Sequence, residues 1–158
     1  MTINSQLIYC HIIWGKTYKT YLNNIIRLQK RAVRLCSSDY VTKSEVLFQK
    51  FNILNIESLH AYLIAQTVFK FFNDNCSLPN CIKILFTNNS LIHNHLTRST
   101  GSPRLFVQPC RLDIRKNSMK IQAPLIWNGI PEELQQIQSF PLFKRELKDY
   151  LLKTQIKV

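Results

Sequence analysis

Hydrophobic and polar positions follow a helical period between residues 22 and 36, LNNIIRLQKRAVRLC. At 100° per residue, the cations Arg27, Lys30, Arg31 and Arg34 fall together on one side, which carries no acid. The other side contains Leu22, Ile25, Ile26, Gln29, Ala32, Val33 and Cys36. We predict an amphipathic helix that packs one face into a core and presents a positive ridge to an anionic partner. The alternative is an ordinary solvated face.

Comparable patterns predict further helices in the first half of the chain. They cover residues 3–15, 18–37, 41–51, 56–74 and 79–86. In the helix over 41–51, Val46, Leu47 and Phe51 are expected to face inward. The helix over 56–74 is apolar on much of its circumference, so we expect it to be central in the packing.

The C-terminal part of the chain predicts two more helical segments. A helical pattern resumes at residue 118, and Pro124 predicts a break or a new start within it. The final helix is expected to follow a Ser139 cap, with an i, i+4 ion pair between Arg145 and Asp149.

A short extended pattern interrupts the helices. Residues 104–107 and 111–115 alternate on either side of Pro109, which predicts a two-stranded β-ribbon. The predicted fold class is mostly α, a helical bundle with this ribbon and a C-terminal helical segment. We predict a helical region over 1–86, a basic loop with the ribbon over 87–120 and the C-terminal segment over 121–158, forming one compact unit.

Charge is the strongest compositional feature of the 158-residue chain. Its net charge is +12, from 21 Lys and Arg against 9 Asp and Glu, and 46% of its residues are hydrophobic, enough to bury a core. A chain this basic usually meets a polyanion, either nucleic acid or an anionic membrane surface. The cations concentrate in residues 1–38 and 83–120. In the second zone Arg98, Arg111 and Arg115 are candidate phosphate contacts, with an ordinary polar connector as the alternative around Arg98.

Cysteine usage and hydropathy bear on the compartment. The five cysteines form no paired framework and no secretory leader is apparent, so we expect free thiols in a reducing compartment, nuclear or cytoplasmic. No stretch approaches the roughly 20 apolar residues of a membrane span, and no membrane partner is predicted.

The sequence offers little catalytic chemistry. The three glycines build no phosphate-binding loop, and the four aspartates lie about 35 residues apart, which does not favour a two-metal site. We therefore predict no cofactor and no enzymatic activity from this chain alone. Cys76 and Cys81 with His93 and His95 are weak zinc candidates, but Cys81 is expected on the apolar side of a short helix as a buried thiol.

The chain contains a series of short motifs that occur in the same order in a known protein family. The N-terminal half resembles the segment that follows the palm in reverse transcriptases of non-LTR (LINE-type, jockey-like) retrotransposons, and the same order of motifs continues to the C-terminus. The motifs are Leu7-x-Tyr9-Cys10-x3-Trp14-Gly15, Leu28-Gln29-Lys30-Arg31-Ala32-Val33-Arg34, Leu47-Phe48, Ile53-Leu54, Phe69-Lys70, Leu78-Pro79, Leu85-Phe86, His95-x-Thr97-Arg98, Val107-x-Pro109, Ser118, Trp127-Asn128-x2-Pro131 and Ser139-Phe140-x2-Phe143-Lys144.

The resemblance implies a thumb-like helical region with a C-terminal extension. In that family the thumb grips the template–primer duplex, so the four cations of the amphipathic helix would lie near RNA template, RNA–DNA hybrid or DNA. The palm and fingers are missing, and with them the Asp-Asp motif and its Mg²⁺. Ala123-Pro124 also stands where the family commonly has a glycine. The implied function is a non-catalytic, nucleic-acid-binding fragment; the alternatives are a piece that docks on the missing palm and fingers, or a decayed copy without activity.

Overall fold

The chain is built from α-helices in the computed structural model, which describes residues 2–73, 78–92 and 103–155. The described residues form ten α-helices and one 3₁₀ turn, Asn89–Leu91, which confirms the mostly α fold class. The helices are α1 Thr2–Ile8, α2 His11–Trp14, α3 Lys19–Ser37, α4 Ser44–Lys50, α5 Ile56–Phe72, α6 Asn80–Lys83, α7 Asp113–Lys116, α8 Met119–Asn128, α9 Glu132–Gln135 and α10 Phe140–Thr154.

Contacts divide the chain into two compact units. Unit 1 comprises Met1–Tyr62 and Arg145–Val158, and unit 2 comprises Leu63–Lys144. The three stretches bounded at residues 86 and 120 were defined by composition, and they stay a prediction.

Unit 1 is organised by the packing of α3 against α4. Val33 on α3 is buried in one cluster with Leu47 and Phe48 on α4, and Ile53 packs against it. The Gln29 side-chain amide donates a hydrogen bond of 2.9 Å to the carbonyl oxygen of Leu54, so a polar group enters the core with a partner.

The inward face of α4 was predicted only in part. Leu47 is buried as expected, but Val46 and Phe51 are exposed and Phe48 takes the inward position. The helix begins at Ser44 rather than near residue 41, and its buried apolar residues are the adjacent pair that packs with Val33 of α3. The contact with α3, which lies elsewhere in the chain, therefore decides the inward face of this short helix.

A second contact in unit 1 brings two histidines against a glycine. His11 and His60 are buried, and their ring centroids lie 5.8 Å apart. His11 Nε2 is 3.0 Å from the carbonyl oxygen of Ile56, and His60 Nδ1 is 3.4 Å from the carbonyl oxygen of His11. Gly15 lies between them: a Cβ atom there would be 2.6 Å from His11 O and from His60 Nδ1.

Unit 2 is built around Trp127. Its ring stacks on Phe72 at 5.4 Å and lies 6.0 Å from Phe143, which in turn stacks on Phe69 at 4.4 Å. Trp127 Nε1 donates a hydrogen bond of 2.7 Å to the carbonyl oxygen of Pro103, so the indole is buried with its polar group satisfied.

Two neighbouring amides hold chain segments against this aromatic cluster. The Asn128 side chain accepts from the Leu105 backbone N–H at 3.0 Å and donates to the Leu105 carbonyl oxygen at 2.8 Å. Gln135 Nε2 donates to the carbonyl oxygens of Trp127 and Ile130. The bonds to Leu105 satisfy backbone groups of a segment outside the helices, and those from Gln135 reach carbonyl oxygens at and just beyond the C-terminal end of α8.

Extended pairing involves the first strand of the predicted ribbon but a different partner. An isolated antiparallel bridge joins Leu105 to Asn88, whereas Asp113–Lys116 forms the single helical turn α7. Asp113 lies in the first turn of α7 and its carboxylate accepts a 2.8 Å hydrogen bond from Lys116. This i, i+3 contact and the favourable position of an acid at a helix N-terminus stabilise the turn over the strand that alternation predicted.

Two predictions for the C-terminal helices were wrong in detail. Pro124 does not interrupt α8, which is continuous from Met119 to Asn128; its ring is fully buried, and packing offsets the one intrahelical hydrogen bond that proline cannot donate. Arg145 pairs with Glu146 at 3.1 Å rather than with Asp149. The final helix itself begins directly after Ser139, as predicted, and the Ser139 carbonyl oxygen accepts from the Phe143 N–H at 2.9 Å.

The close approach at Gly15 predicts a local steric requirement. Gly15→Ala should destabilise the fold by about 1–3 kcal/mol, because the new methyl group meets a backbone oxygen and two buried rings that have little room to move. Gly129→Ala is the matched control, since its Cβ would meet only backbone oxygens at 3.4 and 3.5 Å. Urea denaturation should separate the two variants; equal midpoints would contradict the packing around Gly15.

The buried histidines predict destabilisation in acid. Burial lowers the pKa of His11, and burial, with smaller contributions from the charges of His11 and Lys16, lowers the pKa of His60 to about 4. Between pH 6.5 and about 4 the unfolded chain binds more protons at His60 than the folded chain does. The contribution of neutral, buried His60 to the free energy of unfolding is therefore complete above pH 6.5 and is lost as the pH falls toward 4. It amounts to about 3 kcal/mol for His60. Chemical denaturation from pH 7 to 4 should show this loss, and His60→Leu should flatten it.

Candidate nucleic-acid interface

The residues that α3 buries determine which side of the helix faces solvent. Leu22, Gln29 and Val33 are buried, as predicted, and Ile25, Ile26 and Ala32 are half-buried. The burial of Gln29 and Val33 against Leu54 and α4 fixes the rotation of the helix. The side that carries Arg27 and Arg31 therefore faces solvent.

Of the four cations predicted on the basic side of α3, Arg27 and Arg31 are available to a ligand. Both are exposed, and neither forms an ion pair within the described ranges of the chain. They lie four residues apart, so their side chains leave the same side of α3 one turn apart. Two unpaired guanidinium groups in this arrangement can contact successive phosphates of a nucleic-acid backbone.

Lys30 is held by an acid that the sequence pattern did not indicate. Its Nζ lies 3.2 Å from Glu45 Oε1 on α4, which also accepts a 3.1 Å hydrogen bond from the Ser44 hydroxyl. The Glu45 backbone N–H and Lys30 hold the pKa of the Glu45 carboxyl below its usual value. The basic side of α3 itself carries no acid, as predicted, but the packing of α4 on α3 brings Glu45 beside Lys30.

Arg34 and Cys36 also differ from the expected pattern. Arg34 is half-buried, and its Nε is buried without a hydrogen-bond partner among the residues that the structure describes. Its guanidinium is therefore less available to phosphate than those of Arg27 and Arg31. Cys36, which was placed on the buried side, is exposed, because α3 ends at Ser37 beyond the part that packs on α4.

The second predicted group of cations belongs to unit 2. Arg111 and Arg115 are both exposed, and Arg115 Nη2 lies 3.5 Å from Gln108 Oε1. Arg98 lies outside the described residues. The structure thus assigns the candidate residues of α3 to unit 1 and Arg111 and Arg115 to unit 2, so it does not group them within one unit.

Of the weak metal candidates, only Cys81 lies within the described residues. Its thiol is exposed on α6, so its predicted burial is wrong; this four-residue helix has no buried residues. Cys76, His93 and His95 lie outside the described residues. Among the residues that are described, no three His, Cys, Asp or Glu side chains are grouped as metal ligands.

Comparisons with known proteins add nothing to this geometry. No family model, no curated protein and no solved structure matches the chain. Within residues 2–73, 78–92 and 103–155, no helix has the length and apolar character that crossing a membrane requires.

The Glu45–Lys30 contact generates a test of where polyanions bind. Glu45→Gln should make the protein elute from a heparin column at higher salt, because it removes the acid that contacts α3 and leaves Lys30 unpaired. The pair is half-exposed, so unfolding free energy should change by less than about 1 kcal/mol. Glu132→Gln is the matched control, since Glu132 pairs with Arg104 in unit 2 at the same 3.2 Å. An equal shift for both variants would argue against α3 as the interface.

Proposed function

We propose that this chain is a non-catalytic, thumb-like nucleic-acid-binding module from the C-terminal part of a non-LTR retrotransposon reverse transcriptase. In this role α3 contacts the sugar–phosphate backbone of a template–primer duplex without reading its sequence. The RNA-directed DNA polymerase activity of the parent enzyme would reside in its palm and fingers, which this proposal makes the protein partners of the module.

The exposed pair Arg27 and Arg31 is the observation that carries the proposal. Helix α3 contains five cations and no acid, and its packing directs these two guanidinium groups to solvent without an ion pair in the described part of the chain. Arginine binds phosphate through paired N–H donors and keeps its charge at any physiological pH. Contacts of this kind position a duplex and carry no sequence information.

The positions of two aspartates support a binding role rather than phosphoryl transfer. Asp39 accepts hydrogen bonds from the Thr42 hydroxyl at 2.6 Å and from the Val41 backbone N–H at 3.0 Å, so it closes a turn between α3 and α4. Asp113 pairs with Lys116 inside α7. Both carboxylates stabilise local turns, and among the described residues neither belongs to a group of three or more His, Cys, Asp or Glu side chains that could hold a metal ion.

The proposal predicts a specific salt dependence of binding. Arg27→Gln combined with Arg31→Gln should weaken binding to a fluorescein-labelled 20-base-pair RNA–DNA hybrid about tenfold or more at low salt. The slope of log Kd against log salt should fall by about 2, because two phosphate contacts no longer release counterions. Fluorescence anisotropy between about 50 and 200 mM salt measures both quantities, and a hybrid of unrelated sequence should behave in the same way.

The control removes the same charge from another helix. Arg145 and Lys153 are exposed on α10, so Arg145→Gln with Lys153→Gln lowers the net charge equally. This variant should keep most of the affinity and nearly the whole slope. Equal losses in the two double variants would show attraction by net charge alone, and an unchanged affinity in the α3 variant would overturn the proposal.

A further inference from the structure

Helix α3 carries a second apolar side that the fold leaves in solvent. Tyr21, Leu28 and Leu35 follow each other at intervals of seven residues and are 68%, 64% and 58% exposed. Ile25 and Ala32, both half-buried, lie between them. The resulting spacing of four, three, four and three residues is that of the apolar positions in a coiled coil. We call these five residues the α3 seam.

The exposed residues of the α3 seam lie on a different side of the helix from the residues that pack into unit 1, and the half-buried Ile25 and Ala32 lie at the boundary between the two sides. At 100° per residue Leu28 lies about 120° around the helix from the middle of the buried residues Leu22, Gln29 and Val33. One exposed leucine on a surface is ordinary, whereas an apolar row that runs through four turns at coiled-coil spacing marks an interaction surface. Its shape suits a second helix whose side chains insert between those of the seam.

Charge decides which helix fits. Arg31 borders the α3 seam about 60° from Leu28, and α3 has no acid with which it could pair on its own surface. A second copy of α3 would bring five further cations and no acid to the same contact, so self-association is electrostatically unfavourable. We propose that the α3 seam docks an amphipathic α-helix of a partner protein, with aliphatic residues on its contact face and Glu or Asp beside them.

A designed peptide tests this docking directly. The probe is a fluorescein-labelled peptide of four heptads with Leu at positions a and d and Glu at e and g, whose like charges oppose its own dimerisation. We expect saturable binding to the full chain, measured by fluorescence anisotropy. Replacing the peptide's Glu by Lys, or its Leu by Ser, should weaken binding at least tenfold, because docking needs both the acids and the apolar face.

Variants of the chain locate the contact. Leu28→Ser with Leu35→Ser should weaken peptide binding at least tenfold and leave the melting temperature unchanged, since both side chains are exposed. The matched control is Ile84→Ser with Leu91→Ser, which removes two exposed side chains of unit 2 (79% and 78%) and should leave peptide binding intact. Equal binding by the acidic and basic peptides, or equal effects of the two variants, would overturn the proposal.

Two further measurements separate the other occupants. Sedimentation of the chain alone should show a monomer; a dimer that Leu28→Ser with Leu35→Ser dissociates would mean that a second copy covers the α3 seam, and it would overturn the proposal. Affinity for the RNA–DNA hybrid should survive this variant. A loss as large as that of Arg27→Gln with Arg31→Gln would assign the seam to nucleic acid and also overturn it. Peptide binding does not depend on nucleic-acid binding, so either proposal can fail alone.

Discussion

The rotation of α3 about its own axis is the constraint on which the rest of the candidate surface depends. Val33 packs into the cluster with α4, and Gln29 donates its side-chain hydrogen bond to the carbonyl oxygen of Leu54. Turning the helix would break a buried hydrogen bond and expose an aliphatic side chain together, which is costly because a buried carbonyl would lose its partner. The core thereby determines which residues of α3 face solvent.

Close packing also determines the contact between α2 and the first turns of α5. Gly15 leaves no room for a side chain, and the two imidazoles beside it are buried, so both favour the neutral state. His60 Nε2 has no hydrogen-bond partner among the described residues, so a proton placed there would be a buried charge without compensation. In a chain of net charge +12 the long-range field acts in the same direction. Basic character and neutral buried histidines are therefore physically consistent.

The sequence predicted the elements that depend on periodicity alone. The extent of α3, the burial of Leu22, Gln29 and Val33 on it and the helix that follows residue 56 were all predictable, because each follows from residues close together in the chain. Glu45 was not, because its contact with Lys30 exists only when α4 folds back on α3. The prediction of a helix break at Pro124 was wrong for the same reason, because tertiary burial of the proline ring overrides the local tendency of proline to end a helix.

The candidate site was also predicted only in part, because the sequence pattern of α3 does not show how much of the helix is buried. A wheel drawn for α3 groups its residues correctly by angle but cannot say how wide the buried sector is. Only two of the four cations are both exposed and unpaired among the described residues: Lys30 is paired with Glu45, and Arg34 is half-buried. The exposed row through Leu28 also belongs to the sector that the pattern assigned to neither face. The width of the contact with α4 depends on tertiary packing. It determines which residues of α3 are buried and which are left as an exposed basic strip and an exposed apolar strip.

The basic and apolar strips meet at Arg31, and this limits how the two proposed ligands can bind at the same time. Arg31 lies about 60° around the helix from Leu28, whereas Arg27 lies about 100° from it. A helix on the α3 seam would therefore take its ion pair from Arg31 and leave Arg27 open to phosphate. Nucleic acid that uses both arginines would instead exclude an acidic partner from that pair. Docking and duplex binding would then oppose each other through the charge of one side chain, with a coupling limited to the energy of that contact.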